Sequence, residues 1–103
     1  MSDDELDNVV GGKSYEISYD SEFFNDLGTN CPRYSFEEAA KSNVPYLNVA
    51  RNWDKFGVQV TYRGEAIPMQ YSIKGHLVTR KAAYEYVLEQ TDKVLALSAY
   101  YVI

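Results

Sequence analysis

The side chains with the strongest chemical potential in this sequence are one cysteine and one histidine, Cys31 and His76. A thiolate and an imidazole act as nucleophile and base only when they lie within hydrogen-bond reach and a third group orients the base. Cys31 precedes a proline and His76 follows a glycine, which is typical of loops and turns. The sequence favours a packed cysteine and a solvated histidine, and we predict that the protein is not an enzyme.

Other patterns that bind metals or cofactors are missing from the sequence. A zinc site usually has four ligands. The single Cys and the single His could supply two of them, and no motif in the sequence indicates the other two. Glu37 and Glu38 indicate a solvated helix face, and neither of the glycine-rich phosphate-binding patterns is present. We therefore expect no metal and no cofactor.

The charge of the chain is concentrated at its start. Four of the fifteen acidic residues are Asp3, Asp4, Glu5 and Asp7, and the net charge is −5. Beyond Gly12, eleven acidic residues face ten basic ones, which leaves a net charge of about −1. A nearly neutral body argues against a nucleic-acid partner, which requires a basic face. No apolar run reaches the length of a membrane span, so we also expect no transmembrane segment.

The first twelve residues form the most specific pattern in the chain. Ser2 and Glu5 have the spacing of a capping box at the start of a helix. Leu6 and Val9 are three residues apart and would share one face of that helix. Two glycines then end the helix and leave a backbone without side chains. So short a helix is marginal in water, which favours a segment that folds on a partner.

This segment resembles the double-glycine leader peptides of exported, bacteriocin-like bacterial peptides, with the pattern L-S-x-x-E-L-x-x-V/I-x-G-G. The matching residues are Ser2, Glu5, Leu6, Val9, Gly11 and Gly12, whereas Met1 takes the place of the leucine. The resemblance covers residues 1–12 only. It implies that Glu5, Leu6 and Val9 are recognised by the peptidase domain of an ABC transporter. It also implies processing at Gly11, Gly12 and Lys13, with cleavage after Gly12.

The resemblance leads to three functional hypotheses. In the first, the chain is the cytoplasmic precursor of an exported bacteriocin-like or other binding protein, secreted after leader removal and directed at an unknown extracellular protein. In the second, it is an intracellular protein-binding or regulatory domain whose acidic N-terminus only looks like a leader. In the third, it is the precursor of a ribosomally made modified peptide.

The rest of the chain predicts an α+β domain. We expect two units, a leader-like segment at 1–12 and one compact domain at 13–103. The domain would hold an antiparallel or mixed sheet with helices mainly on one face, in the order β-α-α-β-β-α-β. The first predicted elements are a strand at Ser14–Tyr19 and a helical turn that Ser21 caps and Gly28 stops. A capping box of Ser35 and Glu38 predicts a helix running to about Ser42, and Pro45 starts a second helix that Gly57 ends, with Leu47, Ala50 and Trp53 on its buried stripe. Alternating apolar residues predict strands from Val58 and from Ile67, joined at Arg63-Gly64-Glu65. Thr79 caps a predicted helix from Arg80 to about Gln90, and the apolar run at Val94–Ile103 predicts a last strand. Because Pro68 cannot donate a ladder hydrogen bond, we expect its strand to lie at an edge or to carry a bulge.

Ten tyrosines divide into two groups. Five fall on apolar stripes and are predicted to lie in the core: Tyr15, Tyr19, Tyr62, Tyr71 and Tyr84. The other five are a possible partner surface, since exposed tyrosines enrich binding sites: Tyr34, Tyr46, Tyr86, Tyr100 and Tyr101.

Overall fold

A computed structural model describes residues 13–61 and 68–100 of the chain. Three helices come first, followed by a three-stranded antiparallel sheet, a fourth helix and a short 3₁₀ helix. Their bounds are α1 Lys13–Leu27, α2 Phe36–Lys41, α3 Val44–Lys55, β1 Val58–Thr61, β2 Gln70–Ile73, β3 His76–Val78, α4 Arg80–Glu89 and the 3₁₀ helix Leu97–Tyr100. The α+β class is confirmed, whereas the order in the described residues is α-α-α-β-β-β-α.

Helix α1 replaces the strand predicted at Ser14–Tyr19, and that prediction is wrong. The inner face of α1 carries Ile17, Asp20, Ser21 and Phe24, all fully buried and spaced three or four residues apart. Because two of these four positions are polar, the apolar residues alone did not show the helical period. Ser21 lies inside the helix rather than at its cap, and its hydroxyl donates to the carbonyl of Ser18. The helix ends before Gly28, whose φ of +95° favours glycine.

Helices α2 and α3 form where the local signals predicted them. Ser35 and Glu38 make the predicted capping box at the start of α2. Pro45 lies in the first turn of α3, where its missing N–H leaves no helical hydrogen bond unmade. The predicted buried stripe is wrong at Leu47, which is 50% exposed. The buried residues of α3 are Pro45, Val49, Asn52 and Trp53.

The sheet has the order β1-β2-β3, with both pairs of strands antiparallel. Val60 pairs with Tyr71 in the first ladder, and both residues lie in runs that the alternating apolar pattern predicted to be strands. Strand β2 is central in the sheet, and Pro68 precedes it, so the prediction of an edge strand is wrong. The predicted turn at Arg63-Gly64-Glu65 lies outside the described residues.

Strand β3 was not predicted from the sequence. It follows β2 through a tight turn at Lys74 and Gly75, whose φ values are +54° and +83°. Positive φ at both central residues is the geometry of a two-residue hairpin turn whose twist matches that of the strands. Only three residues long, the strand offered too short a pattern for its alternation to be recognised.

The C-terminal part agrees with the sequence in α4 and departs from it afterwards. Thr79 caps α4 by accepting the N–H of Ala82, as predicted. The strand predicted from Val94 is wrong over residues 94–100, because Val94 is 95% exposed and residues 97–100 form a 3₁₀ turn. This apolar run pairs with no described strand, so its backbone groups form hydrogen bonds within the run itself. One of them joins the Ala99 N–H to the Ala96 carbonyl. Residues 101–103 lie outside the described residues.

Aromatic rings from α1, α3, the sheet, α4 and the 3₁₀ helix meet in the core. The Trp53 ring lies edge-on against Phe24, with centroids 4.9 Å apart, and the Phe23 and Tyr84 centroids are 4.2 Å apart. Such offset and edge-on pairs add specific geometry to the burial of large apolar area. The buried aromatic residues are Phe23, Phe24, Trp53, Tyr71, Tyr84 and Tyr100.

A single carboxylate, that of Asp20, lies fully buried among these rings. Its Oδ2 accepts from Trp53 Nε1 at 3.1 Å and from the Tyr71 hydroxyl at 2.7 Å. Its Oδ1 accepts from Arg80 Nη2 at 2.9 Å and from the Tyr84 hydroxyl. Burial, with the Asp20 charge second, raises the pKa of the Tyr71 and Tyr84 hydroxyls, which stay protonated donors. Four donors, one of which is the positively charged Arg80, offset the cost of removing this carboxylate from water.

Replacing Asp20 tests this arrangement. We expect Asp20→Asn to lower the free energy of unfolding by about 3–5 kcal/mol, because the largely buried Arg80 guanidinium loses the charge of the carboxylate that it contacts. Urea denaturation followed by far-ultraviolet circular dichroism measures the change. Asp54→Asn, on the exposed side of α3, is the matched control and should stay within about 0.5 kcal/mol of wild type. Equal losses in the two variants would contradict the role assigned to Asp20.

Candidate functional site

One face of α3 is left uncovered by the rest of the described chain. Val44 is 56% exposed and Leu47 50% exposed, Arg51 and Lys55 are exposed, and Asn48 is half-buried. Their spacing of three and four residues places these five side chains on one side of the helix, which we call the outer stripe. Neither cation of the stripe forms an ion pair with a described residue. The outer stripe therefore combines two apolar groups, an amide and two free positive charges.

The outer stripe is presented by a pair of helices packed on α1. Ser42 and Asn43 alone separate α2 from α3. The Tyr15 ring of α1 stacks on Phe36 of α2 with centroids 4.2 Å apart, and Trp53 packs against α1 from the opposite side of α3. With their inner faces held by α1, the two helices keep the outer stripe directed away from the core.

A pocket of about 280 Å³ lies beside the outer stripe. Residues 30–32 form one wall, and Asn48, Arg51, Asn52 and Lys55 of α3 form the other. The Asn52 amide donates to the Asn48 carbonyl at 2.9 Å, and its buried Oδ1 accepts no hydrogen bond from the described residues. Since the lining includes two cations and no acidic residue, the pocket favours negatively charged groups.

Hydrogen bonds fix the walls of this pocket. The Asn48 amide donates to the Tyr34 hydroxyl at 2.5 Å, and the Asn25 amide donates to the Cys31 carbonyl at 3.1 Å. The Ser18 hydroxyl donates to the Tyr34 carbonyl at 2.8 Å, which ties the loop to α1. The loop after α1 is thereby held against α3.

A second cleft, of about 290 Å³, lies between the first turns of α1 and α4 and strands β2 and β3. Glu16, which is 8% exposed, lines it, and the N–H of Met69 donates to Glu16 Oε1 at 2.6 Å. Burial raises the pKa of Glu16 to about 7, and the charge of Asp20 adds to this, whereas the Met69 N–H and the charge of Arg80 lower the pKa. A buried carboxyl with a perturbed pKa in a cleft marks a candidate functional group.

The tyrosines proposed as a partner surface are distributed over several elements. Tyr34 and Tyr46 are half-buried near α3, where Tyr34 accepts from Asn48 and Tyr46 donates to the Val60 carbonyl at 3.4 Å. Tyr86 is half-buried on α4, and Tyr100 is buried with its hydroxyl donating to Asp26 at 2.6 Å. Tyr101 lies outside the described residues. The four described tyrosines form no single exposed cluster.

The tyrosines predicted to lie in the core are buried to different extents. Tyr71 and Tyr84 are buried, as predicted, whereas Tyr15 and Tyr19 are half-buried on α1. Tyr62 lies outside the described residues.

Cys31 and His76 lie in contrasting environments. Cys31 is 2% exposed, and burial raises the pKa of its thiol to about 11. Because a thiol with so high a pKa is almost entirely protonated at neutral pH, it is a weak nucleophile. His76 is exposed on β3. Within residues 13–61 and 68–100, no group of three His, Cys, Asp or Glu side chains is placed to hold a metal ion.

Of the residues assigned to leader recognition and processing, only Lys13 belongs to the described part of the chain. Glu5, Leu6, Val9, Gly11 and Gly12 lie outside the described residues, and Lys13 is the first residue of α1. In the part of the chain that is described, no helix has both the length and the apolar character needed to cross a membrane.

Sequence reasoning missed Glu16, Asp20, Arg51, Asn52 and Lys55. For Arg51 and Lys55, a signal existed, since a spacing of four residues within a predicted helix places two cations on one face. No comparable signal distinguished Glu16 and Asp20 from the other acidic residues.

No known protein family, curated protein or solved structure matches this chain.

The raised pKa of Glu16 predicts how stability depends on pH. A carboxyl whose pKa is higher in the folded than in the unfolded protein contributes stability that is complete below pH 4.5 and is lost as the pH rises to about 7. Relative to Glu16→Gln, we expect wild type to lose up to about 3 kcal/mol of unfolding free energy between about pH 5 and pH 8. Urea denaturation at both pH values measures this difference. The exposed Glu85→Gln variant should follow wild type, and a wild-type slope in Glu16→Gln would contradict the assignment.

Proposed function

We propose that the protein binds double-stranded DNA, with α2 and α3 acting as a helix-turn-helix and α3 as the helix that enters the major groove. The observation that carries the proposal is the outer stripe of α3, which presents exposed side chains of the types that read base edges. This function would be an intracellular regulatory one, but it departs from the expectation from the sequence that the chain has no nucleic-acid partner.

The arrangement of the helices supports this proposal. In a helix-turn-helix, a first helix and a tight turn position a second helix whose outer residues face the groove. Here a six-residue helix and a twelve-residue helix follow one another, joined by two residues where the motif usually has about three or four. The inner face of α3 is anchored by Trp53 to Asp20 of α1, which leaves the opposite face for the DNA.

The chemistry of the outer stripe also suits a base pair. An Arg guanidinium pairs with the acceptors of guanine or with a phosphate, and an Asn amide can pair with adenine. Val44 and Leu47 offer apolar contact for a thymine methyl group. Asn48 keeps part of its amide hydrogen-bonding capacity, since one of its donors is used by Tyr34. Lys55 would contact the phosphate backbone.

The total charge of the chain is the main argument against a nucleic-acid partner. This total, however, averages over faces of the molecule that differ in their local charge. Among the exposed acids, Glu85 and Glu89 lie on α4, whereas Glu37 and Glu38 lie in the first turn of α2. Asp54 lies at the edge of the outer stripe, while Arg51 and Lys55 lie near its centre. Because exposed charges are screened over about 8–10 Å at physiological salt, the charges on α3 dominate its contact with DNA. We expect modest affinity with a strong dependence on salt.

A second candidate is the exported binding protein, and the observation favouring it is the leader resemblance of residues 1–12. Its transient partner would be a peptidase-containing ABC transporter, and its final target an extracellular protein. A modified-peptide precursor has no observation of its own in its favour and is not developed further.

DNA binding is tested with the full chain and a random-duplex library. Selection should enrich a duplex, and Arg51→Ala should weaken its binding about 10- to 100-fold because a base or phosphate contact is lost. Lys55→Ala should weaken binding to all duplexes alike and reduce the slope against salt by about one. Fluorescence anisotropy measures both effects. The exposed Lys93→Ala variant, outside α3, is the control. Failure to bind any duplex at low salt, or an equal loss in Lys93→Ala, would contradict the proposal.

Export is tested by coexpression with a peptidase-containing transporter that processes double-glycine leaders. The second hypothesis predicts extracellular protein beginning at Lys13, and Gly12→Val should abolish it because a narrow catalytic slot excludes the added side chain. Mass spectrometry of the culture medium identifies the N-terminus. Lys93→Ala, at an exposed position far from the leader, is the control. Processing that persists in Gly12→Val would rule out this route.

A further inference from the structure

Glu16 presents a carboxylate oxygen that the described protein does not satisfy. Oε1 accepts the Met69 N–H, whereas Oε2 accepts no hydrogen bond from a described residue. Unlike Oδ1 of Asn52, this oxygen is not sealed within the protein, and Glu16 lines the cleft. A carboxylate that is largely removed from water and has a single donor lacks the partners that buried charges ordinarily have.

The remainder of the cleft combines apolar walls with few polar groups. Pro68, Met69, Leu77 and Val78 supply apolar surface, and Leu77 is 68% exposed. Thr79 and Gln70 add neutral hydrogen-bonding groups. Small-molecule sites are typically concave, mainly apolar and supplied with a few convergent polar groups.

Within the part of the chain that the structure describes, the charged groups that act on this cleft are Glu16, Asp20 and Arg80. The Arg80 guanidinium is bound to Asp20 at 2.9 Å, so its charge is already offset. Tyr71, the other titratable residue in the lining, donates its hydroxyl proton to Asp20. Among the described residues, the charge at the cleft that has no oppositely charged partner is the negative charge of Glu16. An anion would be repelled, whereas a cation would be attracted.

We propose that the Glu16 cleft binds a small organic cation, of the class of a primary amine with a short apolar body. Its ammonium would donate to Oε2 of Glu16, and its carbon chain would lie against Met69 and Leu77. The raised pKa of Glu16 reflects the cost of ionising this carboxyl without such a partner. This site is separate from the outer stripe, and the inference does not depend on DNA binding.

The test uses n-butylamine, which is a cation throughout the pH range of interest, and neutral n-butanol of similar size. Backbone amide resonances of Met69, Gln70 and Thr79 are followed by ¹H–¹⁵N NMR in the full chain. We expect saturable shifts with n-butylamine and none with n-butanol. Because the ionised fraction of Glu16 falls about tenfold from pH 8 to pH 6, the apparent affinity should fall about tenfold as well.

Two variants separate binding at Glu16 from other effects. Glu16→Gln keeps an acceptor for the Met69 N–H and removes the charge, so it should abolish the response to n-butylamine. Glu85→Gln removes an exposed carboxylate and should respond as wild type does. An unchanged response in Glu16→Gln, an equal response to n-butanol, or no saturable shift in wild type would overturn the proposal.

Discussion

The buried carboxylate of Asp20 is the constraint on which the rest of the structure depends. Its donors come from α3, β2 and α4, so one group on α1 fixes three other elements. An apolar core tolerates small sliding movements, but a buried charge loses its compensation when a donor moves away. The position of Asp20 therefore also determines which face of α3 is turned outward, since Trp53 lies on the opposite side of that helix from Arg51.

Glu16 lies one turn before Asp20 on the same helix and is also buried, yet its surroundings are different. Asp20 has four donors, whereas Glu16 has one backbone N–H and an opening to a cleft. A carboxylate surrounded by donors holds a structure together, while one with spare accepting capacity is available to a ligand. Both residues are acids on the inner side of α1. They differ in the number of hydrogen-bond donors only because different elements pack against them. It separates the structural centre of this protein from its candidate binding sites.

Local signals in the sequence predicted the elements whose ends are defined locally. The capping residues Ser35 and Thr79 and the alternation around Tyr71 each act within a few residues, and the structure agrees with them. Helix α1 was missed because Asp20 and Ser21 occupy positions that a periodic pattern expects to be apolar. The outward face of α3 was predictable only in part. The spacing of Arg51 and Lys55 places two cations on one face of the predicted helix, but the exposure of Leu47 depends on contacts with residues far away in the sequence. The cleft at Glu16 is formed by four elements, and no short motif encodes such a meeting.

The sequence distances within the Asp20 network bear on how the chain acquires its fold during synthesis. Trp53, Tyr71, Arg80 and Tyr84 follow Asp20 by 33, 51, 60 and 64 residues. A nascent chain that ends before Arg80 has the acid of α1 but lacks the cation that compensates it. Its first three helices can form, yet closing the core around Asp20 would bury an uncompensated charge. Completion of the core must therefore wait until α4 has left the ribosome. The emergence of the C-terminal half is then the step that commits the chain to its native state.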